Sequence, residues 1–248
     1  MIVDWHFYAL AIPAVILLGL AKGGFTGIGA LSLPMIAFVI DPVRAAAILL
    51  PILIAQDAVG VWAFRRDVDW RLLGWMMPGA LLGIWLGYVF AASVSSEAVL
   101  AAVGITSLLF GAYRLWSARR PLPAEPRRWP EWLGSGFGLV AGFTSQIAHA
   151  GQPPFQLWVL PRNLPRDMLI GTTALFFASL NLIKVAPYFA LGQFSPANLV
   201  TSAALLPLAL ISTLAGVWLV RRISPERFYT AIHWLMMLVG IALIAEAL

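Results

Sequence analysis

Long apolar stretches joined by short, arginine-bearing connections decide the solvent in which this chain folds. Stretches of suitable length to cross a bilayer run over residues 5–21, 46–64, 72–92, 98–115, 132–148, 169–191, 197–220 and 228–245. A helix needs roughly 20 such residues to span the hydrocarbon core. Composition agrees, since 61% of the residues are hydrophobic and only 11% are charged, where a soluble domain carries nearer a quarter. The chain is therefore expected to be an integral membrane protein. Tryptophans at the expected span ends, Trp5, Trp70, Trp116, Trp129 and Trp132, suit the headgroup boundary. The N-terminal stretch has Asp4 in place of a basic region and no small-residue cleavage site, so it reads as a retained first span rather than a signal peptide.

Two further apolar stretches, 31–40 and 155–160, are too short to span alone. At 1.5 Å per residue the longer covers about 15 Å, half the hydrocarbon core. If all ten segments enter the membrane and the N-terminus lies outside, fourteen of the sixteen lysines and arginines fall in inner loops. Arg44 is then the single outer exception, and Lys184 lies within a span. That asymmetry obeys the positive-inside rule, whereas omitting the short segments spoils it. The expected fold is thus all-α, with eight full spans plus two half-length segments and both termini outside.

The segment 117–130, SARRPLPAEPRRWP, reads as a solvated cytoplasmic linker between a first repeat, 1–116, and a second, 131–248. GGFTG at Gly23–Gly27 echoes AGFTS at Ala141–Ser145. PGALLGIWLG from Pro78 aligns with PLALISTLAG from Pro207 without gaps, and the same alignment pairs Ser95 with Ser224 and Glu97 with Glu226. The loop at 65–71 is basic while its counterpart at 192–195 is uncharged; the loop at 93–96 is uncharged while Arg221 and Arg222 are basic. Equivalent loops would then face opposite sides, as an odd number of segments per half requires. Inverted repeats of this kind recur among transporters.

Both short segments begin at breaks in the helical pattern. AKGGFTGIGALSLP provides one, with Lys22, Gly24 and Thr26; SQIAHAGQPPF provides the other, with His149, Gly151, Gln152 and Pro153. Irregular backbone at membrane depth is tolerated where it is buried in protein or lines a cavity. A short helix starting at Pro153 would turn free N–H groups and a positive dipole end toward an anion. A Gly/Pro-rich packing turn explains the same residues without a ligand.

Charged residues inside spans are costly and mark function by default. Lys184, with Asn181 one turn before it, offers a fixed positive charge for an anionic substrate; a long stem reaching to the headgroups is the blander account. Asp57, beside Gln56, is its natural complement: as a Lys184–Asp57 pair broken by substrate, as a coupling or gating carboxylate, or as a carboxyl satisfied by a neighbouring helix. His6 and His233 read as interfacial or packing residues.

No cysteine is present, which excludes disulfides and thiolate ligands. There is no P-loop, HExxH or GxSxG with a plausible base, so neither an enzyme, a metal site nor a cofactor is expected. A net charge of +5 and a pI near 10.1 come from loop arginines without a nucleic-acid motif, so nucleic acid is not an expected partner.

AKGGFTGIG at 21–29, RRDVDWRLL with PGALLGIWLG at 65–87, HAGQPP, IGTT at 170–173 and FFASLNLIKVAPYFALGQF at 176–194 together resemble the sulfite exporter TauE/SafE family, also called TSUP. The resemblance covers essentially the whole chain. It implies an inverted-repeat secondary transporter of the bacterial inner membrane, exporting sulfite, sulfonates or related organosulfur anions. It also carries substrate-binding roles onto Lys184, Asn181 and the loop from His149 to Pro154. The expected partners are a small anionic substrate and the lipid bilayer, with proton coupling and a homodimer left open. An anion channel of the same fold and a membrane-embedded enzyme are the alternatives.

Overall fold

The computed structural model describes residues 2–25, 28–91, 93, 95–118, 129–220, 222, 234, 237, 238, 241, 244 and 245. Among the described residues every regular element is helical. Helix α1 (Trp5–Lys22) starts where the Asp4 carboxylate accepts from the His6 backbone N–H at 3.0 Å, an N-cap that satisfies an orphan donor. It ends at Gly23, and Gly24 then takes φ +131°, a conformation that L side chains rarely adopt. A tight 3-10 turn (Ile28–Leu31) leads into the six-residue α2 (Ser32–Ala37). Helix α3 (Pro42–Phe64) has proline in its first turn and the Asp41 carboxylate accepting from Val43 and Arg44 N–H. Helices α4 (Trp70–Ala91) and α5 (Ser96–Ala118) complete the first half.

In the second half α6 (Leu133–Ala148) is capped by His149, and α7 (Gln152–Val159) follows after a three-residue break. A 3-10 turn (Leu160–Arg162) precedes α8 (Arg166–Ala190) and α9 (Pro196–Val220). Both short segments thus follow breaks, and both are helical. Among the described residues, five helices are long and apolar enough to cross a membrane: α1, α3, α4, α8 and α9. Helix α6 has 16 residues, so its rise of about 24 Å falls short of the full span expected for 132–148. The segment 228–245 and the linker 117–130 lie largely outside the described residues.

Helices pair across the two halves. Against α6, α4 packs backbone to backbone: a Cβ added at Gly79 would sit 1.8 Å from the Ser135 carbonyl oxygen, and one at Gly142 would sit 2.1 Å from that of Ala80. Between α1 and α9 the contact is similarly close, with a Cβ at Gly23 reaching the Gly216 backbone at 2.6 Å. Small residues permit such approach where lipid supplies no hydrophobic drive between helices. Helices α3 and α8 lie side by side at the centre and are the most deeply buried of the long helices.

One echo between the halves does not survive folding. AGFTS lies inside α6, whereas GGFTG starts at the residue capping α1 and continues beyond it. The break after α1 corresponds in position to the one at His149–Gly151, because both follow a long helix and precede a short one.

Candidate functional site

Helix α3 carries Asp57 two turns before its end, and α8 presents Asn181 and Lys184, three residues apart and therefore on one face. Asp57 and Lys184 are the only charged side chains that are buried among the described residues, at 2% and 0% exposed. They do not pair with each other. Asp57 Oδ1 binds Lys22 Nζ at 2.5 Å, and Asp57 Oδ2 accepts from Asn181 Nδ2 at 2.6 Å. The expected Lys184–Asp57 pair is thus replaced by a Lys22–Asp57 pair. Lys22 does not belong to a solvated inner loop either: it is the last residue of α1, its side chain only 11% exposed. Its ammonium also lies 5.4 Å from the centre of the Phe177 ring, within cation–π range.

Lys184 finds neutral partners. Its Nζ donates to the Ser145 carbonyl and to Ser145 Oγ, both at 3.0 Å, and lies 2.7 Å from His149 Nδ1. These three acceptors match the three protons of an ammonium. On the other side of the ring, His149 Nε2 is 2.9 Å from the Ala46 carbonyl oxygen, which only accepts. Nε2 must therefore carry a proton, leaving Nδ1 to accept from Lys184. The His149 ring also stacks on Tyr188 at 5.9 Å, and Tyr188 OH donates to the Gln146 carbonyl at 3.1 Å.

His149 holds this position at a conformational cost. Its φ of 50° is left-handed, uncommon for a side chain of this size and worth about 1–3 kcal/mol of strain. The bonds to Lys184 and Ala46 keep the ring in place at the end of α6.

Between the two breaks lies a cavity of about 40 Å³, room for about three water-sized groups. Lys22, Ser32, Ser145, His149, Gln152 and Asn181 supply its polar lining. Leu18, Leu33, Leu49, Leu53 and Phe177 supply the apolar part. Lys184 stands directly behind Ser145 and His149, so its charge reaches the cavity through them.

Other expected site residues lie elsewhere. Gln56 reaches the Val15 and Ala209 carbonyls at 3.5 and 3.4 Å, between α1 and α9. A Cβ at Gly24 would meet Val220 and Ile170, and one at Gly151 would meet the Ala141 carbonyl, so both glycines serve packing. Pro153 lines a smaller neighbouring cavity with Ala30, Pro34 and Ser107. Thr26 lies outside the described residues. The α7 N-terminus has few donors for an anion, because Pro153 and Pro154 have no N–H and Phe155 N–H bonds to the Gly151 carbonyl at 3.3 Å. Sequence reasoning missed Ser145 and Tyr188 as members of the site. Their signal was spacing: Ser145 precedes His149 by four residues, and Tyr188 follows Lys184 by four.

Apolar helices of membrane-crossing length around a buried ionic cluster, with two helical breaks meeting at a polar cavity, define a polytopic membrane protein of the transporter class. The chain belongs to the sulfite exporter TauE/SafE family, which matches residues 11–243. It is 27% identical to the probable inner membrane transporter protein TsaS of Comamonas testosteroni over 184 residues, covering 72% of this chain and 73% of that relative. No solved structure matches it.

Proposed function

We propose that this protein is a secondary transporter that exports small anions, sulfite and short sulfonates among them, by alternating access in the bacterial inner membrane. The observation that carries this reading is the surplus of positive charge at a buried cavity: two lysines, Lys22 and Lys184, against the one carboxylate of Asp57. Lys22 contacts the anion directly, with Asn181, His149 and Gln152 as hydrogen-bonding partners, and Lys184 supplies charge from behind. Asp57 gates the site: it ties α1 to α3 and α8 through Lys22 and Asn181, and an incoming anion competes for the same ammonium.

Support for ten membrane segments in two inverted repeats comes from the matched order of elements, a long helix, a break and a short helix in each half. The pairing of α1 with α9 and of α6 with α4 adds to it. Orientation with both termini outside is supported by arginines stacked on tryptophans: Arg65 on Trp62, Arg162 on Trp158 and Arg222 on Trp218, with ring distances of 5.9, 4.2 and 4.3 Å. All three arginines fall on the inner side in that topology, where such pairs suit the headgroup layer. The relative from Comamonas testosteroni is a probable inner membrane transporter, which agrees with the proposed location.

The test is charge movement in proteoliposomes on concentration jumps of sulfite and short sulfonates. Wild-type protein should give saturable transient currents, and Lys184→Ala should reduce them at least tenfold, since a buried site stripped of its charge loses most of its hold on an anion. Full currents with unchanged half-saturation in Lys184→Ala would remove Lys184 from the site. Flux that never saturates would replace the transporter by a channel.

A further inference from the structure

We infer that the site takes its anion singly charged, and that Asp57 is the residue that excludes divalent anions. This rests on the anion-transporter reading and narrows its substrate class to monoanions, such as a sulfonate headgroup or hydrogensulfite.

Geometry fixes the protons and charges at the site. Asp57 accepts through both oxygens, from Lys22 and from Asn181, the pattern of an ionised carboxylate. Lys22 and Asp57 therefore cancel. Lys184 Nζ meets three acceptors, the Ser145 carbonyl, Ser145 Oγ and His149 Nδ1, which take the three protons of an ammonium. His149 Nε2 holds its own proton against the Ala46 carbonyl, so the ring is neutral. The Lys184–His149 pair therefore carries a single positive charge. No other charged side chain among the described residues is buried. The site thus holds a net charge of plus one.

The surroundings make that count matter. Leu18, Leu33, Leu49, Leu53 and Phe177 supply much of the cavity wall, and a second negative charge placed there would find no further buried cation among the described residues to pair with. A monoanion leaves the occupied site neutral. Without the Asp57 carboxylate the site would hold plus two, and a dianion would become the matching ligand.

Methanesulfonate and sulfate separate these cases, because both are tetrahedral at sulfur and differ by one charge. Isothermal titration of the full chain in lipid nanodiscs should show methanesulfonate bound at least about tenfold more tightly than sulfate by the wild type, an unpaired buried charge being the element that rejects the competitor. Asp57→Asn should move that ratio toward sulfate by about tenfold or more. The double variant K22Q/D57N restores net plus one and leaves no lysine unpaired; it should bind more weakly but keep the preference for methanesulfonate. Sulfate bound by the wild type as tightly as methanesulfonate would overturn the inference while leaving the anion site standing. A ratio unchanged in Asp57→Asn, or reversed in the double variant, would overturn the role of Asp57. Absence of heat with either anion in the wild type would defeat the anion-site reading itself, and this inference with it.

Discussion

Two of the interfaces that join the halves of this protein are built in opposite ways. Between α4 and α6 the backbones touch, with glycines on both helices and one side-chain bond across, Ser135 Oγ donating to the Trp75 carbonyl at 2.6 Å. Between α3 and α8 the facing positions hold Asp57 and Asn181, while Lys184 reaches across to α6. The first interface leaves no room to slide, because a Cβ at Gly79, Gly83, Gly138 or Gly142 would strike a carbonyl oxygen of the facing helix. The second is held by polar bonds that a competing ion can exchange. A transporter needs both, a scaffold that keeps the halves in register and a contact that gives way to its ligand.

Bulk inserted at the α4–α6 interface should have the largest effect. Gly142→Leu should cost about 3 kcal/mol or more, since over-packing usually costs 1–3 kcal/mol even where side chains can yield and here the obstacle is the Ala80 backbone at 2.1 Å. Loss of monodisperse protein in detergent, or a steep fall in the unfolding midpoint, would report it; near wild-type stability would mean that the helices can separate. At the polar interface Asn181→Leu leaves Asp57 Oδ2 buried without its donor and should cost about 1–3 kcal/mol. The same unfolding measurement checks this, and added anion should recover less stability than in the wild type. The smallest effect has the opposite sign. Gly136 lies on α6, yet an added Cβ would meet nothing within 4 Å. Gly136→Ala should therefore stabilise by about 0.5–1 kcal/mol through helix propensity alone. A destabilised Gly136→Ala would show that α6 is crowded on both faces.

Much of the fold was legible along the chain. Apolar runs located the long helices to within a few residues, because burial in lipid demands that length and composition. Both breaks were legible too, from glycine and proline clusters at Gly23–Gly24 and at Gly151–Pro154. The apparent equivalence of GGFTG and AGFTS misled, because three shared residues out of five do not record where a helix stops. Helix α1 ends just before Gly24 turns to φ +131°, where Gly23 packs against Gly216 of α9, nearly two hundred positions away. Gln56 looked like a companion of Asp57, but adjacent residues on a helix point about 100° apart, and Gln56 faces α1 and α9 instead.

Sequence alone determined that this chain lives in a membrane, where its long helices run and that Asp57 and Lys184 lie within spans, since those properties follow from local composition and the cost of burying polar groups. Tertiary structure alone decided who pairs with whom. Asp57 binds Lys22 rather than Lys184, and Lys184 rests on Ser145 and His149, because contact between buried charges depends on helix ends and crossing points. Those are set by packing between distant segments, which no local pattern encodes.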